Sequence, residues 1–185
     1  MDSFTADIQK YKKHIIELKR EDITAEIVRG IVLDYSPELV LLANIDDNFY
    51  INGYIIVRNN DITAYRFFDS PDSFFYQAQK ELHLFPDYSF KIDLTNIRSV
   101  CLNIHQYVPL VTIFKEKSED VCYIGHITTI TDHSITLYEI DSDAEWETET
   151  RFYLRKISRI DFGGGYENAL WLVGKKDLPT NIQSF

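Results

Sequence analysis

The feature that most constrains this chain is a repeat within its own sequence. Six positions of a first copy recur 95 residues later with the same or similar side chains. The first copy has Gly30, Val32, Val40, Leu42, Ile45 and Asp46, and the second has Gly125, Ile127, Ile135, Leu137, Ile140 and Asp141. After three extra residues in the second copy, the similarity continues from Tyr54, Ile55, Ile56, Arg58 and Ile62 to Phe152, Tyr153, Leu154, Lys156 and Ile160. Because apolar positions that recur in order mark a repeated structural unit, the chain is predicted to hold two copies of one unit.

Short apolar runs separated by turn residues predict that this unit is built from strands. Between residues 26 and 68 the runs are EIVRGIVLDY, LVLLANI, FYINGYIIV and ITAYRFF. The chain also has 12 Tyr and 12 Phe among its 185 residues, and aromatic residues favour strands over helices. Four short strands at close spacing predict a small barrel or sandwich.

Helical patterns flank both copies. Before the first copy, apolar residues recur at steps of three and four and predict a surface helix: Ile8, Tyr11, Ile15 and Leu18. Between the copies, FFYQAQKELHLF and NIRSVCLNIHQ predict two helices, and the strand PLVTIFKE follows them. The glycines of GGG before YENALWLV could cradle a phosphate, or could form a tight turn that needs positive φ.

The fold class that follows is mainly β with flanking helices (α+β), in which two small antiparallel barrels stand in tandem as an internal repeat. We expect an N-terminal helix and first barrel over residues 1–70. A helical connector is expected over residues 71–105, and a second barrel with a C-terminal helix over residues 106–185. The aromatic residues at 67–68 and 74–76 could form the interface between the barrels or an exposed partner-binding patch.

Two stretches of the first copy carry a resemblance to a known family. The residues from Gly30 to Leu42, followed by those from Gly53 to Asn59, resemble the two motifs of the Sm-like family. The second copy is similar from residue 125 to 137 and from 152 to 160. The resemblance implies tandem Sm-like (SH3-like) five-stranded, strongly bent barrels, each behind a helix.

The residues that the Sm-like resemblance would use to bind RNA are mostly replaced. The family usually has Asp and Asn in the turn of the first motif and an Arg-Gly pair in the second. Here the turn is SPEL over residues 36–39, and the pair is Arg58-Asn59. In the second copy the basic residues nearest this position are Arg155 and Lys156. Arg58, Arg155 and Lys156 are therefore the candidate RNA-binding residues.

The charge balance favours a different class of partner. The chain has 29 Asp and Glu against 19 Lys and Arg, a formal net charge of −10. Affinity for nucleic acid rests on basic side chains that neutralise phosphates, so this excess of acid argues against such a partner. No apolar run reaches the roughly 18 residues of a membrane span, and the first residues lack the pattern of a secretory signal. We therefore expect a cytoplasmic protein with no membrane partner.

An acid stands at every second position from residue 139 to residue 149. The alternation would place several carboxylates on one face of a strand. One interpretation is a solvated hairpin whose acids face Arg151, Arg155, Lys156 and Arg159 across the sheet. Another is an acidic surface for a basic partner, and a third is a Ca²⁺ loop, although the glycine that such a loop needs is replaced by tryptophan. The candidate partner-binding residues are Asp141, Asp143, Glu145, Trp146, Glu147 and Glu149.

Residues for catalysis or for a bound cofactor do not form a recognisable motif. The five histidines lie far apart in the sequence without metal-ligand spacing. Cys101 and Cys122 lie inside apolar runs, where free, buried and inert thiols are expected. No catalytic residue, metal ligand or cofactor is assigned.

The function predicted from these observations is a non-enzymatic binding module that recognises another protein. Its contact surface would be acidic or would be the exposed edge of a strand, which can accept a strand from a partner. The alternatives are an Sm-like RNA-binding protein with degenerate motifs, and an enzyme whose site the sequence does not reveal. The oligomeric state is left open.

Overall fold

The structure is a computed structural model that describes residues 3–86, 88–116 and 120–179. A helix and five strands come first: α1 (Ser3–Lys10), β1 (Ile15–Arg20), β2 (Thr24–Tyr35), β3 (Leu39–Ile45), β4 (Ile51–Arg58) and β5 (Ala64–Phe67). Two helices connect this half to the next: α2 (Phe74–Glu81) and α3 (Ile97–Ile104). The second half has β6 (Val111–Lys115), β7 (Cys122–Ile130), β8 (Ser134–Ile140), β9 (Trp146–Tyr153), β10 (Ile157–Phe162) and α4 (Gly165–Gly174).

All ten of these strands belong to one antiparallel sheet in the order β5-β1-β2-β3-β4-β10-β6-β7-β8-β9. The expectation of two barrels is therefore wrong, because the sheet is continuous and is not closed into a barrel. The two halves join where β4 pairs with β10, with Ile56 opposite Ile160. The side chains of β4 are buried on both faces of the sheet, since Ile55 and Ile56 belong to different core clusters. An apolar strand of this kind is stabilised by neighbours on both sides, and β10 supplies the second one.

The internal repeat is present in the pairing of the strands. In each half the fifth strand lies beside the first, and the described residue pairs of the first half recur 95 residues later, except at the two ends of the β1–β2 ladder. Examples are Ile16↔Phe67 with Val111↔Phe162, Gly30↔Asn44 with Gly125↔Glu139, and Leu39↔Arg58 with Ser134↔Tyr153. The three-residue insertion predicted in the second copy is therefore wrong, because Arg58 corresponds to Tyr153 and not to Lys156.

Glycine recurs at the same position of β2 and β7 because the facing strand comes very close. A Cβ atom on Gly30 would collide with the carbonyl oxygen of Ala43, and one on Gly125 would collide with that of Tyr138. The ladder register also shifts a few residues after each glycine, between Val32 and Asp34 and at the equivalent place in β7. Both halves therefore bend at the same point, as bulged strands do.

Three hydrophobic clusters pack the described part of the sheet against its helices. The smallest packs Leu170 of α4 against Leu110, Ile140 and Ala144. The next packs Phe4 and Ile8 of α1 against β1–β4. The largest combines the other face of the first half with residues of α3 and of the second half, such as Leu41, Ile104 and Ile113. Because this largest cluster contains side chains from both halves, the halves are expected to unfold together.

The first helix is shorter than its apolar pattern predicted. The predicted helix extends to Leu18, whereas α1 ends at Lys10 and Ile15 begins β1. Lys13 has φ of 73°, a left-handed conformation that stops a helix, and its N–H donates to the carbonyl oxygen of Val32 at 2.9 Å. The β-branched pair Ile15 and Ile16 then pairs with β2 and β5, so contacts with two strands outweigh the helical spacing.

The other predicted helices are confirmed. The side chain of Asn96 accepts a hydrogen bond from the N–H of Ser99 at 2.9 Å and caps α3. The tight turn predicted before α4 is also present, with Gly163 at φ of 71°. On α4 itself Leu170 is buried, but Tyr166 and Leu172 are more than half exposed. In the described ranges, no helix combines the length and the apolar character needed to cross a membrane.

Candidate functional site

The two outer strands of the sheet are β9 and β5, and β9 carries the acidic run predicted to bind a partner. In the 95-residue correspondence, β9 takes the place that β4 has in the first half. Tyr54, Ile55 and Ile56 of β4 correspond to Glu149, Thr150 and Arg151 of β9. The strand that joins the halves is therefore apolar, whereas its counterpart at the outer edge is polar.

The acidic run does not lie on one strand. Residues 139 and 140 end β8, a turn follows, and β9 begins at Trp146. Asp141 holds this turn, because its Oδ1 accepts hydrogen bonds from the N–H groups of Asp143 at 2.9 Å and of Glu145 at 2.8 Å. Asp46 does the same in the first half. Asp141 is thus a turn residue that the two halves share.

Trp146 anchors the start of β9 to α4. Its indole N–H donates to the carbonyl oxygen of Gly174 at 2.8 Å, and its ring stacks on Tyr138 with centroids 5.5 Å apart. A side chain at Gly174 would meet Ile140 and the backbone of Ala144, so the end of α4 lies directly against this turn. Trp146 is half-buried, and these contacts hold its ring in place beside the exposed acids.

The carboxylates beyond the turn are exposed at the outer edge. Asp143, Glu145, Glu147 and Glu149 are all exposed, and Glu149 accepts a hydrogen bond from the Thr128 hydroxyl at 3.0 Å. Two of the basic residues expected to face this run pair elsewhere. Lys156 binds Glu116 at 2.9 Å, and Arg159 binds Asp161 and Glu26 at 2.6 and 3.1 Å.

The backbone of β9 offers hydrogen-bonding groups to a further strand. Along an antiparallel ladder the residues alternate between those that bond to the neighbour and those that face away from it. The N–H of Leu154 donates to the carbonyl oxygen of His133, the residue before β8, at 2.9 Å, so the alternation directs the N–H groups of Phe152 and Thr150 to β8. The N–H groups of Arg151 and Glu149 therefore point outward.

The three candidate RNA-binding residues lie close together, although they come from distant parts of the sequence. Arg58 donates through its guanidinium to the carbonyl oxygens of Leu154 and Ile157, both at 2.8 Å, and these residues flank Arg155 and Lys156. Arg58 therefore links the two halves across their junction. Arg155 is exposed and lines a shallow hollow together with His133 and Tyr153.

Arg159 is a buried charged group near the junction. One interpretation of the sequence placed it opposite the acidic run, but its side chain is only 7% exposed. Its guanidinium binds both carboxylate oxygens of Asp161, at 2.7 and 2.6 Å. Burial raises the pKa of Asp161 to about 6, against the opposing attraction of Arg159. The signal in the sequence was the spacing of Arg and Asp two residues apart, which puts both on one face of β10.

Two histidines that the sequence analysis treated as unrelated meet between α3 and β7. The ring centroids of His105 and His126 are 5.7 Å apart, and Nδ1 of His126 lies 2.9 Å from the carbonyl oxygen of Pro109. Burial lowers the pKa of both histidines. Over residues 3–86, 88–116 and 120–179, no group of three or more His, Cys, Asp and Glu side chains is arranged to hold a metal ion.

The two cysteines differ in accessibility. Both are free thiols; Cys101 is buried in the largest core cluster, whereas Cys122 is exposed, so the prediction of a buried thiol is wrong for Cys122. Burial raises the pKa of the Cys101 thiol to about 12. A thiol with this pKa is a poor nucleophile at neutral pH.

Known proteins offer no direct guide to this site. Comparisons of the chain with models of protein families, with curated proteins and with solved structures found no match.

Proposed function

We propose that this chain is a non-enzymatic protein-binding module whose outer strand β9 accepts an extended segment from a partner. The observation that carries the proposal is the outer edge of β9, where outward N–H groups at Arg151 and Glu149 stand beside exposed carboxylates. Strand addition of this kind obtains affinity from backbone hydrogen bonds and specificity from alternate side chains.

The side chains of β9 favour a partner segment with basic residues at alternate positions. Glu147 and Glu149 are two residues apart on β9 and so share one face of the sheet. A partner strand that pairs with β9 would place its own alternate residues on that same face, opposite these carboxylates. Opposite charges on paired strands contribute roughly 0.2–1 kcal/mol per pair, and like charges oppose pairing by a similar amount.

A peptide-binding assay tests this proposal. The probe is a fluorescent octapeptide with Lys and Val alternating, and the control peptide has Glu in place of each Lys. We expect the basic peptide to bind more tightly than the acidic one, and its affinity to fall in E147Q/E149Q and with added salt. R151P should abolish binding because it removes one outward donor, whereas R151A should retain it. Equal affinity of R151P and R151A for the peptide would contradict strand addition.

RNA binding by Sm-like units is the second candidate function. It is supported by the position of Arg58 beside the Arg155–Lys156 segment, with the exposed ring of Tyr153 available for stacking on a base. The protein should bind single-stranded RNA at low salt, and R155A should bind it more weakly. A protein that does not bind an oligouridine at low salt would exclude this function.

A further inference from the structure

A cavity of about 340 Å³ lies between β2 and the segment that follows α2. Ile31 and Leu33 of β2 line one side of it, and Phe85 and Pro86 line the other. The connection between α1 and β1 closes a third side. Sites for small ligands are typically cavities of roughly 300–1,000 Å³ with a mostly apolar lining and a few polar groups. This cavity has that size and that kind of lining.

The apolar lining is specific to the first half of the chain. In the 95-residue correspondence, Ile31 and Leu33 match His126 and Thr128. The same surface of the second half is therefore polar, so the repeated unit does not require apolar side chains at these positions. Phe85 also lines the cavity, although it is 60% exposed. A ligand with an apolar body would remove this ring from water, which favours binding.

A buried glutamine fixes two sides of the cavity relative to each other. Gln79 of α2 is only 5% exposed. Its side-chain amide donates to the carbonyl oxygen of Lys13 at 2.9 Å and to that of Leu84 at 3.3 Å. Lys13 belongs to the lining, and Leu84 directly precedes Phe85. A cavity whose sides are held in place before binding loses less conformational entropy when a ligand enters it.

The polar groups of the lining suit an anion. Among the described residues, Lys12 lines the cavity and pairs with Asp34 at 2.9 Å, and Lys13 adds a second, exposed ammonium group. The hydroxyl of Tyr88 accepts a hydrogen bond from the N–H of Ile92 at 3.3 Å, so its own hydrogen can be donated to a further acceptor. Burial raises the pKa of Tyr88, so this hydroxyl stays neutral at neutral pH.

We propose that this cavity binds a small amphipathic carboxylate. The apolar body of the ligand lies against Ile31, Leu33 and Phe85, and its carboxylate lies beside Lys13. The ammonium group attracts a carboxylate and repels an amine of the same length, so the site selects by charge as well as by shape. This site goes beyond the proposed function, because six strands separate β2 from β9 in the sheet.

Titration of the isotope-labelled protein with octanoate, followed by NMR, tests the inference. The amide signals of Ile31, Leu33 and Phe85 should shift with a dissociation constant of about 0.1–1 mM. Octanol lacks the charge and octylamine reverses it, so both should bind about tenfold more weakly or less. Shifts confined to other parts of the chain, or equal affinity for octanoate and octylamine, would overturn the inference.

Two variants separate the charged part of the site from the apolar part. Lys13 has φ of 73°, a conformation that asparagine tolerates, so K13N should keep the fold. It should weaken octanoate binding about tenfold and leave octanol binding unchanged. F85S removes the exposed ring and should weaken the binding of both.

K176N replaces an exposed lysine beyond α4 and is the control, which should bind octanoate like the wild type. K13N or F85S that binds octanoate as tightly as the wild type would contradict the proposed site, and so would a wild-type protein that does not bind octanoate at about 10 mM. These measurements contain no peptide, so they succeed or fail independently of the binding proposed at β9.

Discussion

The ionisation of Asp161 gives a quantitative test of the buried charges at the junction of the two halves. Burial raises the pKa of this carboxyl from its ordinary value of 3.8 to about 6, although Arg159 opposes the rise. Between these two values the folded state holds a proton that the unfolded state has released. The free energy of unfolding should therefore fall as pH rises through this window, by about 3 kcal/mol in total.

The assay is urea unfolding of the wild type and of D161N at several values of pH between 4 and 7. The difference in unfolding free energy between the two proteins isolates Asp161 from the other titrating groups. As the pH rises from 4 to 7, the wild type should lose up to about 3 kcal/mol of unfolding free energy relative to D161N. D143N removes an exposed carboxylate and serves as the control. A difference that is flat with pH, or that favours the wild type as pH rises, would show that the ion pair with Arg159 outweighs burial.

Three other parts of the fold give independent predictions. Because burial lowers the pKa of His126, its contribution to stability is complete above pH 6.5 and declines below it, so H126Q should lose less stability than the wild type between pH 7 and pH 5 in urea unfolding. A thiol reagent should modify Cys122 in the folded protein but Cys101 only after unfolding; two thiols reacting at equal rates would contradict the burial of Cys101. G30A should cost about 1–3 kcal/mol of stability, measured by thermal or urea unfolding, because its Cβ would collide with a carbonyl oxygen of β3. G165A, where a Cβ would make only an ordinary contact, is its control.

The sequence predicted most of the local structure because strands and turns depend on neighbouring residues. The four runs between residues 26 and 68 became β2, β3, β4 and β5, and the connector became α2 and α3. The first helix was predicted too long because the spacing of Ile15 and Leu18 fits a helix. In the structure, pairing with β2 and β5 decides the conformation of these residues. Such pairing is a contact between distant segments, which local spacing does not report.

The arrangement of the halves was harder to predict because the alignment of the repeat was wrong by three residues. With the shifted alignment, Tyr54–Ile56 of β4 appeared to match the apolar segment at residues 152–154. With the constant offset of 95 residues, they match the polar residues 149–151 of β9. That contrast marks β4 as an internal strand and β9 as an outer one, so a better alignment could have revealed the edge.

The sequence identified the candidate residues from the chemical type of their side chains. Their roles depend on contacts between distant residues, which the sequence does not show. Asp141 was one acid among several in the run, and only the turn geometry separates it from Glu147 and Glu149. Arg58 was selected through the family resemblance, and its bonds to the carbonyl oxygens of Leu154 and Ile157 span nearly a hundred residues of chain. His105 and His126 meet only because α3 packs beside β7.

Amide hydrogen exchange along β9, measured by NMR, tests the central claim most directly. In dilute protein the outward amides of Glu149 and Arg151 should exchange fast, whereas those of Thr150 and Phe152, bonded to β8, should be protected. Adding the basic octapeptide should protect Glu149 and Arg151 and leave the other two unchanged. Unchanged exchange at Glu149 and Arg151 with saturating peptide would contradict the claim that β9 is the binding edge.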